Sequence, residues 1–570
     1  NEEPMKADVV FLHPPSIFDF RERPILWGPI NDLVPSKSIF EMYPLGFVSL
    51  ASTLDKEGFE VRIVNLALKM LRDRDFSPED YVEEIETNLF AIDLHWLPHV
   101  HGAIELARLC KKNHPQTPVV MGGLSSSYYH EEIMNCVPEV DFVIRGDAAE
   151  YPMLKLARNL KNDSEFSSIP NLTYRSGSSV KINDITAVPG EVDSFSLDYE
   201  YVFRSVLRTR NLDLLPFQEF LRRPIMAVLT RKGCDQNCPG CGGSSYSYSK
   251  ICNRPEIAFR SPERVVGDLK KIEEFQSPAF IIGDLASPDS EYGLKILDLI
   301  GEEDLNIPVV FEFFTPPDRN FMMKLGESVS NFSIEMSPET GVEKIRTRTG
   351  RQYTNGELKT TIERAFEAGC SQFDLYFMIG LSGQTESTLS NTLQFVDGLL
   401  EKHSNDNLLP FISPYTPFLD PGSLAFEFPA KYGFTRYAET LMDHYELLER
   451  GFTWKDFLSY RTDEMSKEDL VRLTYKSAVN LAKIKKKHGL ITQKKLDEIK
   501  EKISISRRMI RLSDARKTSQ LDEDQVKASL TELEERLLID RGELDWSNGL
   551  EARRVLAVLK KGLKTILTPG

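Results

Sequence analysis

Two rhythms of apolar and polar residues run along this chain and divide it. From Ala7 to about residue 160, short unbroken apolar runs at 9–12, 61–64, 89–94, 118–121 and 140–144 alternate with stretches whose apolar residues recur every three or four positions. Strands buried on both faces need such runs, and the parallel connections between them need helices. The first third is therefore expected to be α/β, a Rossmann-like parallel sheet with helices on both faces. The alternation resumes at 225–230, 279–282, 309–313, 332–336, 373–379 and 408–412. Six strand–helix repeats predict a partial (β/α)6 barrel, whose chemistry belongs at the carboxyl ends of its strands. Beyond about residue 428 the short runs give way to helical patterns at 437–450, 467–488 and 523–537, and no further strand is expected.

The expected divisions are a first domain at 1–185, a linker at 186–224 that is polar around 189–211, a barrel at 225–427 and an α-helical C-terminal region at 428–570. A chain of 570 residues exceeds one core, and its length suggests about three or four domains. Hydrophobic residues make up 41% and charged residues 27%, ordinary for a globular protein, and no apolar run is long enough to cross a bilayer as a helix. The formal net charge of −16 repels polyphosphate and argues against nucleic-acid binding. One basic stretch, 483–487, sits in a helical pattern without interleaved aromatics and reads as a solvated face. An odd number of cysteines, seven, and a start without a signal-peptide profile lead to the expectation of a reducing, cytoplasmic protein with no membrane partner.

Three of those cysteines carry the chemistry. Cys234, Cys238 and Cys241 stand in the run Arg-Lys-Gly-Cys-Asp-Gln-Asn-Cys-Pro-Gly-Cys-Gly-Gly, directly after the first strand of the second rhythm. Three thiolates leave one iron of a four-iron cubane without a protein ligand, open to a substrate or cofactor. A zinc knuckle or a set of buried thiols is the alternative.

The run resembles the cluster loop of radical S-adenosylmethionine (SAM) enzymes, in which the open iron is chelated by the amino and carboxylate groups of SAM. The resemblance continues at the later strand ends. It implies a 4Fe-4S cluster on Cys234, Cys238 and Cys241, and a SAM site formed by Gly242, Gly283, Asp284, Glu312, Glu335, Ser337, Glu339, Arg346, Gly380 and Leu381. Arg348 and Arg351 stand behind the same segment as Arg346. Asp284 replaces a family glutamate one methylene longer. The residue before the third cysteine is usually aromatic in that family and packs near the adenine. Here it is Gly240, so adenine packing must come from elsewhere. Tyr246, Tyr376 and Tyr415 are candidates for lining the pocket, as packing residues or proton donors.

The strand ends of the first rhythm resemble the cobalamin-binding domain that precedes the barrel in class B, the cobalamin-dependent radical SAM methyltransferases. That likeness implies cobalamin contacts from Pro14, Tyr43, Leu45, Gly46, His95, Trp96, Gly122, Gly123, Ser125, Ser126, Gly146 and Asp147. Gly122 and Gly123 would permit close backbone approach, and Ser125 and Ser126 would hydrogen-bond the nucleotide tail. Dinucleotide binding is disfavoured, because His13-Pro14-Pro15-Ser16 stands where a glycine-rich turn would be. Asp93-Leu94-His95 matches part of a cobalt-ligating motif and lacks its glycine. His95, Trp96, His99 and His101 either ligate or shield the metal, or they cap and pack a loop. The aromatic segment between Ser16 and Tyr43, which includes Trp27, reads as a lid.

The family implies methylation of an unactivated carbon, with cobalamin carrying the methyl group, reductive SAM cleavage supplying a radical, and an external electron donor. A peptide or protein side chain is the expected substrate, a glutamine of methyl-coenzyme M reductase among the candidates. Rearrangement or cyclisation without methyl transfer is a second reading, and a non-catalytic corrinoid or cluster sensor a third.

Overall fold

The protein is described by a computed structural model over residues 6–22, 25–26, 29–31, 34–35, 42–162, 165–195, 197–209, 212–217, 220, 224–415 and 417–517. Trp27 and the helix expected at 523–537 lie outside the described residues.

The first sheet has seven strands: β1 (Val9–His13), β2 (Val61–Asn65), β3 (Phe90–Asp93), β4 (Val119–Gly122), β5 (Phe142–Ile144), β6 (Leu172–Ser176) and β7 (Ser179–Ile182). Their order across the sheet is β7-β6-β5-β4-β3-β1-β2. The first five in sequence are parallel, as the apolar runs require; Val9, Val10, Phe11 and Leu12 are each at most 1% exposed. The hairpin β6–β7 joins antiparallel at the β5 edge and was not expected, because Ser179–Ile182 is exposed or half-buried and lacks an apolar run. The chain leaves β1 for β2 on one side and β3 lies on the other, so the order reverses between β1 and β3. Open α/β sheets bind ligands at that switch point, beyond the strand ends.

Helices α1 (Gly46–Lys56), α2 (Val100–Asn113), α3 (Leu124–Tyr128) and α4 (Glu150–Asn162) follow strands of this sheet, and α5 (Tyr199–Thr209) falls inside the expected linker. The linker is not simply polar. Tyr199, Tyr201, Val202, Phe203 and Val206 of α5 are buried, and the Phe203 ring lies 4.7 Å from Phe275 of the barrel domain.

The barrel strands are β8 (Met226–Leu229), β9 (Ala279–Ile282), β10 (Val309–Phe313), β11 (Phe332–Glu339), β12 (Gln372–Ile379) and β13 (Leu408–Pro414), all parallel and paired in chain order. β8 and β13 do not pair, so the barrel is open, as six repeats predict. Phe313 meets Phe321 of the outer helices edge-on, so Phe311 and Phe313 face outward. Strand alternation then turns Glu312 inward, and the register Glu312↔Glu335↔Asp374 sets three carboxylates side by side across the lumen. Helix α6 (Ser245–Cys252) follows the cysteine run, its start capped by Ser244 Oγ, which accepts from the Ser247 N–H.

Beyond the barrel come α7 (Leu441–Arg450), α8 (Lys467–Lys487) and α9 (Gln493–Lys517). Contrary to expectation, this region also holds a two-stranded antiparallel ribbon, β14 (Phe434–Arg436) with β15 (Tyr460–Thr462), three residues each and too short for periodicity to reveal. The basic stretch at the end of α8 is not wholly solvated. Lys485 is 1% exposed, with its Nζ 4.5 Å from the Phe411 ring centre of β13. α7 bridges the domains, because the Glu132 carboxylate of the first domain accepts from the N–H groups of Leu441 and Met442 at its start. Part of the aromatic insertion runs here as well. Leu26 exchanges backbone hydrogen bonds with Phe452 and Trp454, so these residues join the first domain to the C-terminal helices. Among the described residues no helix is long and apolar enough to cross a membrane.

Candidate active site

The cysteine loop leaves β8 at the barrel mouth. The Gln236 N–H points at Cys234 Sγ (3.4 Å) and the Gly243 N–H at Cys241 Sγ (3.3 Å), so the backbone already offers donors to two of the sulfurs. Burial pushes all three thiols up, Cys241 to about 12, and binding iron must displace those protons. The loop is held from three sides. Arg231 donates to the Asp235 carboxylate (3.2 Å) and to the carbonyls of Asp284 (2.7 Å) and Ser287 (2.9 Å). Asp420 Oδ2 accepts from the Gly242 N–H (2.9 Å), and Ser247 Oγ bridges the carbonyls of Cys241 and Gly422. Gly350 has φ +96°, and a Cβ there would lie 3.3 Å from Cys238 Sγ, so the β11–β12 connection passes directly against the second cysteine.

The expected SAM residues divide. Glu339 ends β11 in a left-handed conformation (φ +63°), 5% exposed, and its Oε1 accepts from Arg351 Nε at 3.3 Å. Burial raises the Glu339 carboxyl against the pull of Arg351. The Arg351 guanidinium is opposed by burial yet ends above its ordinary value, because Cys238 and Glu339 lie beside it. Glu339 Oε2 and Arg351 Nη1 are buried with no hydrogen-bond partner. A buried acceptor and a buried cationic donor left open beside the cysteines fit a ligand with an ammonium or hydroxyl on one side and a carboxylate on the other.

Two other residues are spent within the protein. The Asp284 carboxylate, 1% exposed, accepts from the N–H groups of Ala286, Phe314 and Thr315. Arg346, fully buried, donates to the carbonyls of Pro338, Thr340 and Tyr353 and to Asn355 Oδ1. The polar atoms of both were expected to face SAM and are engaged within the protein instead, Asp284 by backbone N–H groups and Arg346 by carbonyls and the Asn355 side chain. Arg351, five residues after Arg346, is the arginine at the cysteines.

Glu312 and Glu335 are half-buried in the lumen, and Ser337 is half-buried further along β11. Burial, then Asp374 and Glu312, push Glu335 up to about 8, against a 3.4 Å hydrogen bond from Tyr376 Oη. Gly283 (φ +106°) must be glycine, because a Cβ would lie 2.6 Å from Thr230 Oγ1. At the end of β12 the N–H groups of Gly380 and Leu381 both donate to Gln384 Oε1, which closes that turn. Tyr415 follows β13 and stands between Gly380 and the cysteine loop: a Cβ on Gly240 would fall 1.3 Å from its hydroxyl oxygen. Tyr246 lies aside, its ring 6.3 Å from half-exposed Phe428.

At the switch point of the first sheet, His13 Nδ1 and Asp93 Oδ1 are 2.8 Å apart, both side chains buried. Asp93 Oδ1 is thereby engaged with His13, while the same carboxylate acts on His95 through its charge. Burial lowers His95, favouring the neutral imidazole that binds metals, and Trp96 beside it is 52% exposed. Gly123 has φ +117°, and a Cβ would lie 2.6 Å from the His95 Cα; the close approach is between two loops of the protein. A Cβ on Gly122 would meet only the Ile144 carbonyl, at 3.8 Å, and one on Gly46 would meet nothing within 4 Å, so these two glycines leave room for a ligand. Leu45 is half-buried and Pro14 buried.

Several expected cobalamin contacts are used elsewhere. The Ser125 hydroxyl donates to the His95 carbonyl and Ser126 to the Leu94 and Gly122 carbonyls, tying loops together. Tyr43 is 2% exposed, its hydroxyl donating to the Leu214 carbonyl. His101 stacks on Tyr445 of α7 at 4.8 Å, and His99 packs at 5.0 Å from His13. Gly146 (φ +92°) turns the chain after β5, and the Asp147 carboxylate pairs with Arg254 of the barrel domain. Each was expected from position along the chain, which cannot say which way a side chain turns.

A switch-point sheet with open glycines, docked on an open barrel whose mouth carries three cysteines, fits an iron–sulfur cluster on one side and a bulky ligand on the other. Sequence comparison agrees: residues 33–153 match the B12 binding domain family, and residues 228–396 match the Radical SAM superfamily. The chain thus carries a B12-binding domain followed by a radical SAM domain, and its cofactors are cobalamin, a 4Fe-4S cluster and SAM. Over 330 residues it is 24% identical to the hopanoid C-3 methylase of Methylococcus capsulatus, covering 56% of this chain and 58% of that one. It is 20% identical to the anaerobic magnesium-protoporphyrin IX monomethyl ester cyclase of Synechocystis, covering 35% and 38%. The chain therefore spans less than two thirds of either of these relatives. In fold it is similar to the radical SAM methyltransferase TsrM of Kitasatospora setae (TM-score 0.52, 14% identity, 75% of this chain and 78% of that one). It is also similar to the cobalamin-dependent SAM radical enzyme OxsB (TM-score 0.53, 13% identity, 99% and 80%).

Proposed function

We propose that the protein is a C-methyltransferase acting on an unactivated carbon of a peptide or protein side chain, a glutamine of methyl-coenzyme M reductase among the candidates. The observation that carries this reading is the meeting of the two cofactor regions. Helix α3, opened by Gly123, ends at Tyr128, whose ring lies against Gly422; Asp420, two residues earlier, holds Gly242 of the cysteine loop. A five-residue helix is only ~7 Å long. When bound, cobalamin would supply a methyl group and the cluster with SAM a carbon-centred radical.

The chain's own part is to bind, orient and exclude water. Cys234, Cys238 and Cys241 would hold the cluster. Glu339 Oε2 and Arg351 Nη1 would take the polar ends of SAM, with Gly242, Gly380 and Tyr415 against its body. His95, Trp96, Gly122, Gly46 and Leu45 would line the corrin side. Gly283, Leu381 and Gly146 would shape loops, and Ser337 would face the barrel mouth. The lumen carboxyls Glu312, Glu335 and Asp374 favour a polar substrate over a hydrocarbon one.

The test is anaerobic turnover of reconstituted enzyme with methyl-labelled SAM, a chemical reductant and a glutamine-containing peptide of methyl-coenzyme M reductase. Label in the peptide together with 5′-deoxyadenosine is the expected result. 5′-Deoxyadenosine without label in any product would replace methyl transfer by rearrangement, and cofactor binding with no SAM cleavage would make the protein a sensor.

A further inference from the structure

The seam between the two domains contains a buried charge pair that touches both cofactor loops. Arg254, just after α6, is 3% exposed in its side chain, and its Nε donates to Asp147 Oδ2 at 2.6 Å; Asp147 is 8% exposed. Asp147 belongs to the turn after β5. On the other side, Arg254 runs beneath Gly233, the residue before Cys234, where a Cβ would come within 3.1 Å of Arg254 Cδ. With φ +89°, Gly233 is the residue that permits this approach.

Neighbouring contacts share the purpose. Lys232 Nζ donates to the Asp147 carbonyl (2.5 Å) and lies 3.6 Å from Glu150 at the start of α4. Arg254 Nη1 donates to the Pro189 carbonyl (3.0 Å) and Asn253 Nδ2 to the Ile185 carbonyl (3.1 Å), fastening the segment that leaves the first domain. Asp147 Oδ1 and Arg254 Nη2 are buried without partners. A pair so desolvated adds little net stability, while loss of one partner strands the other charge. Its value lies in fixing geometry.

We propose that Arg254 and Asp147, assisted by Lys232, are positioning residues that set the corrin-side strand ends over the cysteine loop. The inference rests on the two-cofactor reading above. A misplacement of ~1 Å between reacting groups costs ~100-fold in rate, so the pair acts on methyl transfer without touching the reacting atoms.

The test uses holoenzyme reduced so that cob(II)alamin and the cluster are both paramagnetic, with magnetic coupling between them read by electron paramagnetic resonance. Arg254→Gln and Asp147→Asn are each expected to weaken the coupling at unchanged iron and cobalt content. The double variant, which replaces the stranded charge by two amides, should regain part of it. Unchanged coupling in both single variants overturns the proposal. Should either lose its cofactors, Arg254→Lys, which keeps the charge without the fork, decides by hydrogen exchange: faster exchange over 183–195 supports the latch and unchanged exchange overturns it. Wild-type enzyme that shows coupling but transfers no methyl group would refute the proposed reaction and leave the latch standing.

Discussion

The hydroxyl of Tyr415 fills the space that a side chain on Gly240 would need. A Cβ built there would lie 1.3 Å from the Tyr415 oxygen and 2.4 Å from the ring carbon that bears it. The end of the last barrel strand thus places an aromatic ring against the cysteine loop, where the resemblance to radical SAM enzymes implied one within the loop itself. Gly240→Ala must displace that ring. It is expected to destabilise the apoprotein by ~1–3 kcal/mol and to lower iron retention. Tyr415→Ala in the same chain should recover part of the loss. Denaturant unfolding and iron content measure both, and strict additivity of the two substitutions would contradict the contact.

Cys252 lies eleven residues after Cys241 and is fully buried in α6, away from the loop. Replacing Cys234, Cys238 or Cys241 by Ala should abolish the cluster and SAM cleavage while cobalamin binding persists. Cys252→Ala should retain iron. Iron and cobalt analysis of the four proteins, reconstituted in parallel, separates ligands from a packing thiol.

His444 of α7 is fully buried among Phe418, Phe426 and Tyr129, with Arg436 and Asp443 nearby. Burial lowers it to about 4, and the Thr440 carbonyl and Asp443 only partly oppose this. The unfolded chain binds the proton near pH 6.5 and the folded chain resists, so this histidine's contribution is complete above 6.5 and falls away as pH drops toward 4. About 2 kcal/mol should disappear between pH 7 and pH 5. His444→Gln should flatten that slope in urea unfolding at the two pH values; a slope equal to wild type would refute the assignment.

Glu335 behaves in the opposite sense. Its carboxyl is raised to about 8, so the folded protein holds a proton that the unfolded chain releases near pH 4.5. Stability contributed by this group therefore declines as pH rises from 4.5 to 8. Glu335→Gln, neutral at every pH, should be closer to wild type at pH 5 than at pH 8, where the variant should be the more stable. Urea midpoints at both values check the sign.

The three cysteines, the eleven apolar runs that carry the parallel strands and the open six-strand barrel were legible because each is local. An unbroken apolar run is a buried strand wherever it occurs, and thiolate spacing limits what a loop can bind. The hairpin β6–β7, the ribbon β14–β15 and helix α5 were missed for the same reason: short or half-exposed elements take their stability from partners distant in sequence. At the site, position along the chain placed Glu339 beside the cysteines but could not show which polar atoms the protein itself would engage: Asp284, Arg346, Tyr43 and Asp147 meet groups up to 171 residues away, as when Tyr43 reaches the Leu214 carbonyl.

Sequence alone determined the order of the two cofactor domains and the three sulfurs, since patterning and covalent spacing belong to the chain itself. Tertiary structure decided which charges remain available. Arg351 rather than Arg346 stands open at the cysteines, Asp420 and Tyr415 frame their loop, and Arg254 reaches Asp147 across the seam. Side-chain direction and the competition for buried hydrogen-bond partners are settled only once distant segments pack, because a buried polar group takes whichever partner the fold brings within reach.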